Sequence, residues 1–176
     1  MPRNDPPYAA VQLRLFLVVL PLVTGTAVAA AADRQAIGFF FRWGAFEEHR
    51  PRKCFAVAEA LPSQRAAAGS ASVAVTSWPE RGIRSQLHVR LSRKKRPGSA
   101  VLLKIDGRSF QLVAAAAEAW APDRTADRQI VAAMRRGINL NVESRDEQGR
   151  SIRDRYALRG AATAIDAALI ACARKS

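Results

Sequence analysis

Cys54 and Cys172 are the only cysteines of this 176-residue chain, and their chemistry is the most constrained it offers. Other chemistry is sparse. Neither of the two histidines, His49 and His88, lies in a recognisable motif with a serine or cysteine nucleophile. Two histidines and two cysteines also lack any zinc-ligand spacing. Glu47-Glu48 and Asp146-Glu147 are neighbours in sequence, so neither pair reads as two carboxylates converging on a substrate. No glycine pattern suited to cradling a phosphate occurs. The sequence therefore assigns no catalytic, cofactor-binding or metal-binding residue, and no cofactor is expected. The cysteines offer a covalent tie, because an even count in an oxidising compartment argues for pairing. The single intramolecular solution, Cys54 to Cys172, closes a loop of more than about 100 residues and contributes up to roughly 4.7 kcal/mol in the chain-entropy model. Two buried thiols are the alternative.

The compartment is read from the first residues. Arg3 and Arg14 make a positive region, 15–23 are apolar, and 24–32 are mostly small, with Ala27-Val28-Ala29 and Ala30-Ala31-Ala32 both fitting a cleavage site. Residues 1–32 are expected to be a signal peptide cleaved between Ala29 and Asp33, and residues 33–176 a single domain. The rival is an uncleaved anchor, but Pro21, Gly25 and the alanine tail leave a weakly apolar span for a bilayer that needs roughly 20 residues. No later segment is apolar enough to cross. The expected address is periplasmic or secreted, and the processed chain is not expected to be an integral membrane protein.

The formal charge is +13, and removing Arg3, Arg14 and Asp5 with the leader takes away +1 and leaves +12. Such an excess favours anionic partners through long-range attraction. For an exported chain those are anionic envelope material or an envelope protein. The 23 arginines and 5 lysines are spread along an alanine-rich chain, as the codon bias of a GC-rich genome would also produce. One run is dense: Arg93-Lys94-Lys95-Arg96-Pro97-Gly98. It reads as an anionic-ligand loop of Arg93, Lys94, Lys95 and Arg96, or as a solvated hairpin tip, since Pro-Gly marks a turn. No specific nucleic acid is expected, because no module pattern is present. The aromatic cluster Phe39, Phe40, Phe41, Trp43 and Phe46 alternates in a way that sends several rings into a core.

Short runs of strand character between turn signals suit a β-sandwich better than a helical bundle. They cover 37–46, 54–60, 72–78, 86–91, 101–105, 109–113, 138–143 and 152–158. Residues 86–91 alternate strictly, which places His88 on a solvated face. Asp106-Gly107 between apolar runs is a two-residue hairpin signal. Two segments read as helices. Residues 127–136 open on carboxylates and end at Gly137, with Ile130, Val131 and Met134 on one face. In 161–173, Ile165, Leu169 and Cys172 fall on one stripe.

Several segments occur in a characteristic order: 54–59, the Val73-Ala74-Val75-Thr76 strand with Pro79, Ile105-Asp106-Gly107 with Phe110-Gln111-Leu112, and Ala119-Trp120-Ala121-Pro122-Asp123. They continue through 130–137 and Asp154-Arg155-Tyr156-Ala157-Leu158-Arg159-Gly160 to Ala164-Ile165 and Cys172. This arrangement resembles the invasion-associated locus B family of exported bacterial proteins from about Trp43 onward. Ala157 and Ala161 depart from the serine and aromatic that members often carry there. The resemblance implies an immunoglobulin-like β-sandwich outside the cytoplasm, without an established enzymatic activity. It implies Trp43 and Trp120 as core aromatics, Gly137 as a helix stop, and Asp154 and Tyr156 as anchors of a neighbouring turn. The expected function is a non-enzymatic envelope protein, a binding or interaction module with a basic surface. The alternatives are a hydrolase acting on envelope polymers and a structural subunit of an envelope assembly.

Overall fold

The computed structural model describes residues 34–63 and 71–173. The expected signal peptide and its cleavage site lie outside them.

Among the described residues, ten strands and two α-helices follow in chain order. The strands are β1 (Arg34–Phe40), β2 (Trp43–His49), β3 (Arg52–Glu59), β4 (Ser72–Trp78), β5 (Ile83–Arg90), β6 (Val101–Ile105), β7 (Arg108–Ala115), β8 (Glu118–Trp120), β9 (Asn139–Arg145) and β10 (Ser151–Ala157). Helix α1 (Arg124–Met134) lies between β8 and β9, and α2 (Ala161–Ala173) follows β10. The strands pair antiparallel in the order β1-β2-β3-β4-β5-β8-β7-β6-β9-β10. The chain is mainly β with a C-terminal helix, as expected. Its layers belong to one continuous ladder because β7 turns the corner between them. Residues 108–112 of β7 pair with β6, and residues 113–115 pair with β8. Strands that switch layers in this way are a known means of closing a two-layered β core.

Alternation decides which side chains meet inside. Val73 and Val75 of β4, Leu87 and Val89 of β5, Leu103 and Ile105 of β6, Leu140 and Val142 of β9, and Ile152 of β10 all join one core. Asp106 and Gly107 turn between β6 and β7 with φ of 42° and 87°, as the hairpin signal predicts.

Helix α2 occupies its expected range and packs on β1 to β4 through Ala161, Ala164, Ile165, Ala168 and Cys172. Small alanines let the helix approach the sheet closely. Cys172 is disulfide-bonded to Cys54 of β3 across 118 positions, and Arg52 Nη2 donates to the Cys172 carbonyl at 3.0 Å. At the other end of α2, Gly160 has φ +93°, and a Cβ there would collide with the Phe40 carbonyl oxygen.

Five expectations are corrected. Residues 37–46 form two strands rather than one: a bulge between Ala36 and Gly38 and a turn through Phe41, at φ 57°, break the alternation. Among the five early aromatics only Trp43 is fully buried, while Phe39 and Phe41 are 73% and 67% exposed. Helix α1 starts at Arg124 because Asp123 caps it, accepting from the amides of Thr125 and Ala126 at 2.8 Å each. Gly137 lies beyond the end of α1 and serves close packing, since a Cβ there would meet Ile105 Cγ2 at 2.6 Å. Finally, Trp120 is only partly buried and lies on the solvent-facing side of β8.

Candidate functional site

The buried carboxylates come first, because convergent acids would mark an enzyme. Three of them, Asp127, Asp154 and Asp146, accept backbone amides. Asp127 Oδ1 accepts from the Leu87 amide at 2.8 Å, an amide beyond the reach of β8, which ends opposite His88. Burial pushes its carboxyl above the usual carboxylate range, although the Leu87 N–H opposes this. Asp154 Oδ2 accepts from the Ser92 amide at 3.0 Å and anchors the segment after β5, as expected. Burial raises its pKa too, against the Ser92 hydrogen bonds and Arg93. Tyr156 does not share that role: its buried hydroxyl finds no hydrogen-bond partner among the described residues. Desolvation raises its pKa strongly.

The dense basic run is not a hairpin tip. It forms a strap from β5 to β6, fixed by the backbone of Lys95 and Arg96. The Lys95 amide donates to the Ala116 carbonyl at 2.9 Å, and the Arg96 amide donates to the Arg145 carbonyl at 2.8 Å. Arg93 is drawn inward: Nη2 donates to the Ser151 carbonyl at 2.7 Å, and Nε stands 3.4 Å from Asp146 Oδ2. Asp146 is buried and also accepts from the Arg150 amide and Arg150 Nε at 2.8 Å each. Burial pushes this carboxyl up, but Arg150 and Arg93 outweigh it and hold it below the usual range. Lys94 and Arg96 remain exposed, and no carboxylate pairs with Lys94, Lys95, Arg96 or Arg145 among the described residues.

A second cationic surface is not visible as a run in sequence. On the outward face of β1 to β5, cations alternate with rings. Arg34 Cζ lies 5.9 Å from the Phe46 centroid and 5.3 Å from that of Phe55. Lys53 Nζ lies 5.5 Å from Phe55 and 5.3 Å from Trp78, and Arg81 Cζ lies 4.9 Å from Trp78. Such contacts hold cations against ring faces. Glu48 pairs with both Arg34 and Lys53 at 2.7 Å. Burial pushes the Glu48 carboxyl up, but Lys53 and Arg34 prevail and lower it. On β5, His88 stacks on Trp120 at 5.4 Å, and its Nε2 lies 2.7 Å from Glu118 Oε2. The strict alternation of 86–91 already places Gln86, His88 and Arg90 on this face. The partners from β1, β3, β4 and β8 come from distant parts of the chain.

Among the described residues no group of three or more His, Cys, Asp or Glu side chains could hold a metal ion, and no helix is long and apolar enough to cross a membrane.

The fold and these two cationic surfaces define an antiparallel, disulfide-tied β domain. The invasion associated locus B protein family matches residues 47–169, and the chain belongs to that family. The crystal structure of invasion associated protein B from Bartonella henselae shares the fold, with a TM-score of 0.57 and 14% identity over 80% of this chain and 99% of that one. No curated protein matches the chain.

Proposed function

We propose that this chain is an exported, non-enzymatic binding module of the cell envelope that holds anionic envelope material through the strap. The observation that carries the reading is the group of four cations, Lys94, Lys95, Arg96 and Arg145, brought together by backbone hydrogen bonds and left without carboxylates among the described residues. A fixed backbone lets the side chains meet an anionic ligand with little further ordering of the main chain. Family membership, the disulfide and the +13 formal charge support the reading. So do the carboxylates of raised pKa, which hold backbone amides at Leu87 and Ser92.

In this reading residues 1–32 are a signal peptide, 33–176 form the mature domain, and the address is periplasmic or extracellular. Intact mass of the exported protein checks the processing: a mature N-terminus between Ala30 and Asp33 is expected, and retention of residues 1–29 contradicts it. Co-sedimentation at low salt with anionic phosphatidylglycerol vesicles and neutral phosphatidylcholine vesicles tests the strap. The K94S/K95S/R96S variant leaves Arg93 and its Asp146 contact in place. It should bind anionic vesicles more weakly than the parent while keeping its melting temperature. Equal binding by parent and variant would reject the strap as the contact.

A further inference from the structure

Across β3, β4, β5 and β8, the outward sheet face forms a groove rather than a flat surface. The register sets Val57 beside Ala74, Ala74 beside His88 and His88 beside Trp120. The adjoining row sets Phe55 beside Thr76 and Thr76 beside Gln86. Small side chains therefore make a floor at β4. Phe55 with Lys53 rises on one side of it, and His88 with Trp120 on the other. All of these residues line one cavity of about 390 Å³, within the roughly 300–1,000 Å³ usual for ligand sites. Two strand spacings of about 4.8 Å separate the β3 wall from His88 on β5, roughly 10 Å in all, which accommodates a single chain of sugar rings.

The lining has three chemistries at once. The His88–Trp120 stack offers ring surface, Thr76 and Gln86 offer hydrogen-bonding groups, and Arg34 and Lys53, held over the buried Phe55 ring, offer positive charge. Arg34, Lys53 and Arg81 outnumber the carboxylate they face, because Glu48 alone pairs with the first two and Arg81 has no acid partner among the described residues. We propose that this groove binds an acidic polysaccharide, with sugar rings laid against the His88–Trp120 stack beside the Ala74 floor and sugar carboxylates at Lys53 and Arg34. Charge complementarity selects an anionic ligand, and the hydroxyl and amide groups suit sugar hydroxyls. A peptide strand finds no free ladder here, since β3, β4 and β5 are each paired on both sides. A bilayer surface is too flat to reach a recessed floor between aromatic walls.

The inference deepens the anion-binding reading by adding a site and a ligand class, and it rests on that reading only for the exported address. The test uses the mature chain with polygalacturonate, sulfated dextran and neutral dextran at physiological salt, followed by calorimetry and tryptophan fluorescence. Polygalacturonate should bind best and shift the tryptophan emission. Trp120→Ala should weaken that binding by about tenfold, the scale of a central contact residue. Ala74→Trp, which fills the floor without removing a wall, should weaken it similarly, with near-ultraviolet circular dichroism confirming that each variant is folded. The K94S/K95S/R96S variant should change it less than about twofold. Three outcomes overturn the proposal: no polygalacturonate binding, affinity unchanged in Ala74→Trp, or equal affinity for sulfated dextran and polygalacturonate. Vesicle binding measured on the same proteins separates the two claims. Loss of vesicle binding in the strap variant with no polygalacturonate binding by the parent leaves the strap standing and removes the groove.

Discussion

Asp146 and Asp127 are both buried aspartates that accept backbone amides, yet their surroundings drive them in opposite directions. Asp146 faces Arg150 and Arg93, and its pKa in the fold is lowered. Its contribution to stability is therefore complete above the ordinary carboxylate pKa and is lost as pH falls through the folded value. Asp146→Asn should lower the melting temperature at neutral pH, with the gap to the parent closing in acid as the parent protonates. A gap that stays constant with pH would assign the loss to geometry instead of charge. Asp127 has only an amide to oppose its burial, and its pKa is raised. Its ionisation costs stability as pH rises from the ordinary value through the folded one. Asp127→Asn keeps the Oδ1 acceptor for Leu87 and should make stability less dependent on pH over that window, without loss at neutral pH. A large destabilisation at neutral pH would contradict this.

At the scale of elements, α2 depends on two fastenings. Gly160 sits in the left-handed region where a side chain would collide with the Phe40 carbonyl, so Gly160→Ala should destabilise by about 2 kcal/mol or more. Chemical denaturation measures it, and a change below about 0.5 kcal/mol would contradict the close approach. The second fastening is the tie from Cys54 to Cys172. Replacing both with serine should cost about 2–5 kcal/mol, with amide exchange accelerating first in α2. Uniform acceleration across all strands would show that the helix is not the separable part.

Most elements were legible because their signals are local. The Asp106-Gly107 turn, the alternation of 86–91 and the apolar stripe of 161–173 each lie within a single element. The split between β1 and β2 was hidden because the turn itself, at Phe41-Arg42, carries no glycine or proline punctuation, and Gly38 marks only the bulge before it. Strand β8 escaped for another reason: three residues are too few to show a period.

For the whole molecule, charge was legible as an amount and not as a distribution. The run 93–96 stands out in sequence, but Arg93 turns inward to an aspartate 53 positions away, and Arg145 joins from β9. The sheet-face cations were largely illegible, because Arg34 and Lys53 meet their rings only through the pairing of β1 to β4, while Arg81 reaches Trp78 locally, three residues along the chain. The strap predicts that anionic material is held largely by exposed charge. The screening length falls from about 30 Å at 0.01 M salt to about 3 Å at 1 M. The most direct test is therefore the affinity of the mature protein for phosphatidylglycerol vesicles across that salt range, with phosphatidylcholine vesicles as the neutral reference. Binding to the anionic vesicles should be strong at the low end, fall steeply with salt, and exceed binding to the neutral ones until it vanishes. Affinity independent of salt, or equal for the two vesicle types, would contradict an electrostatic binding module.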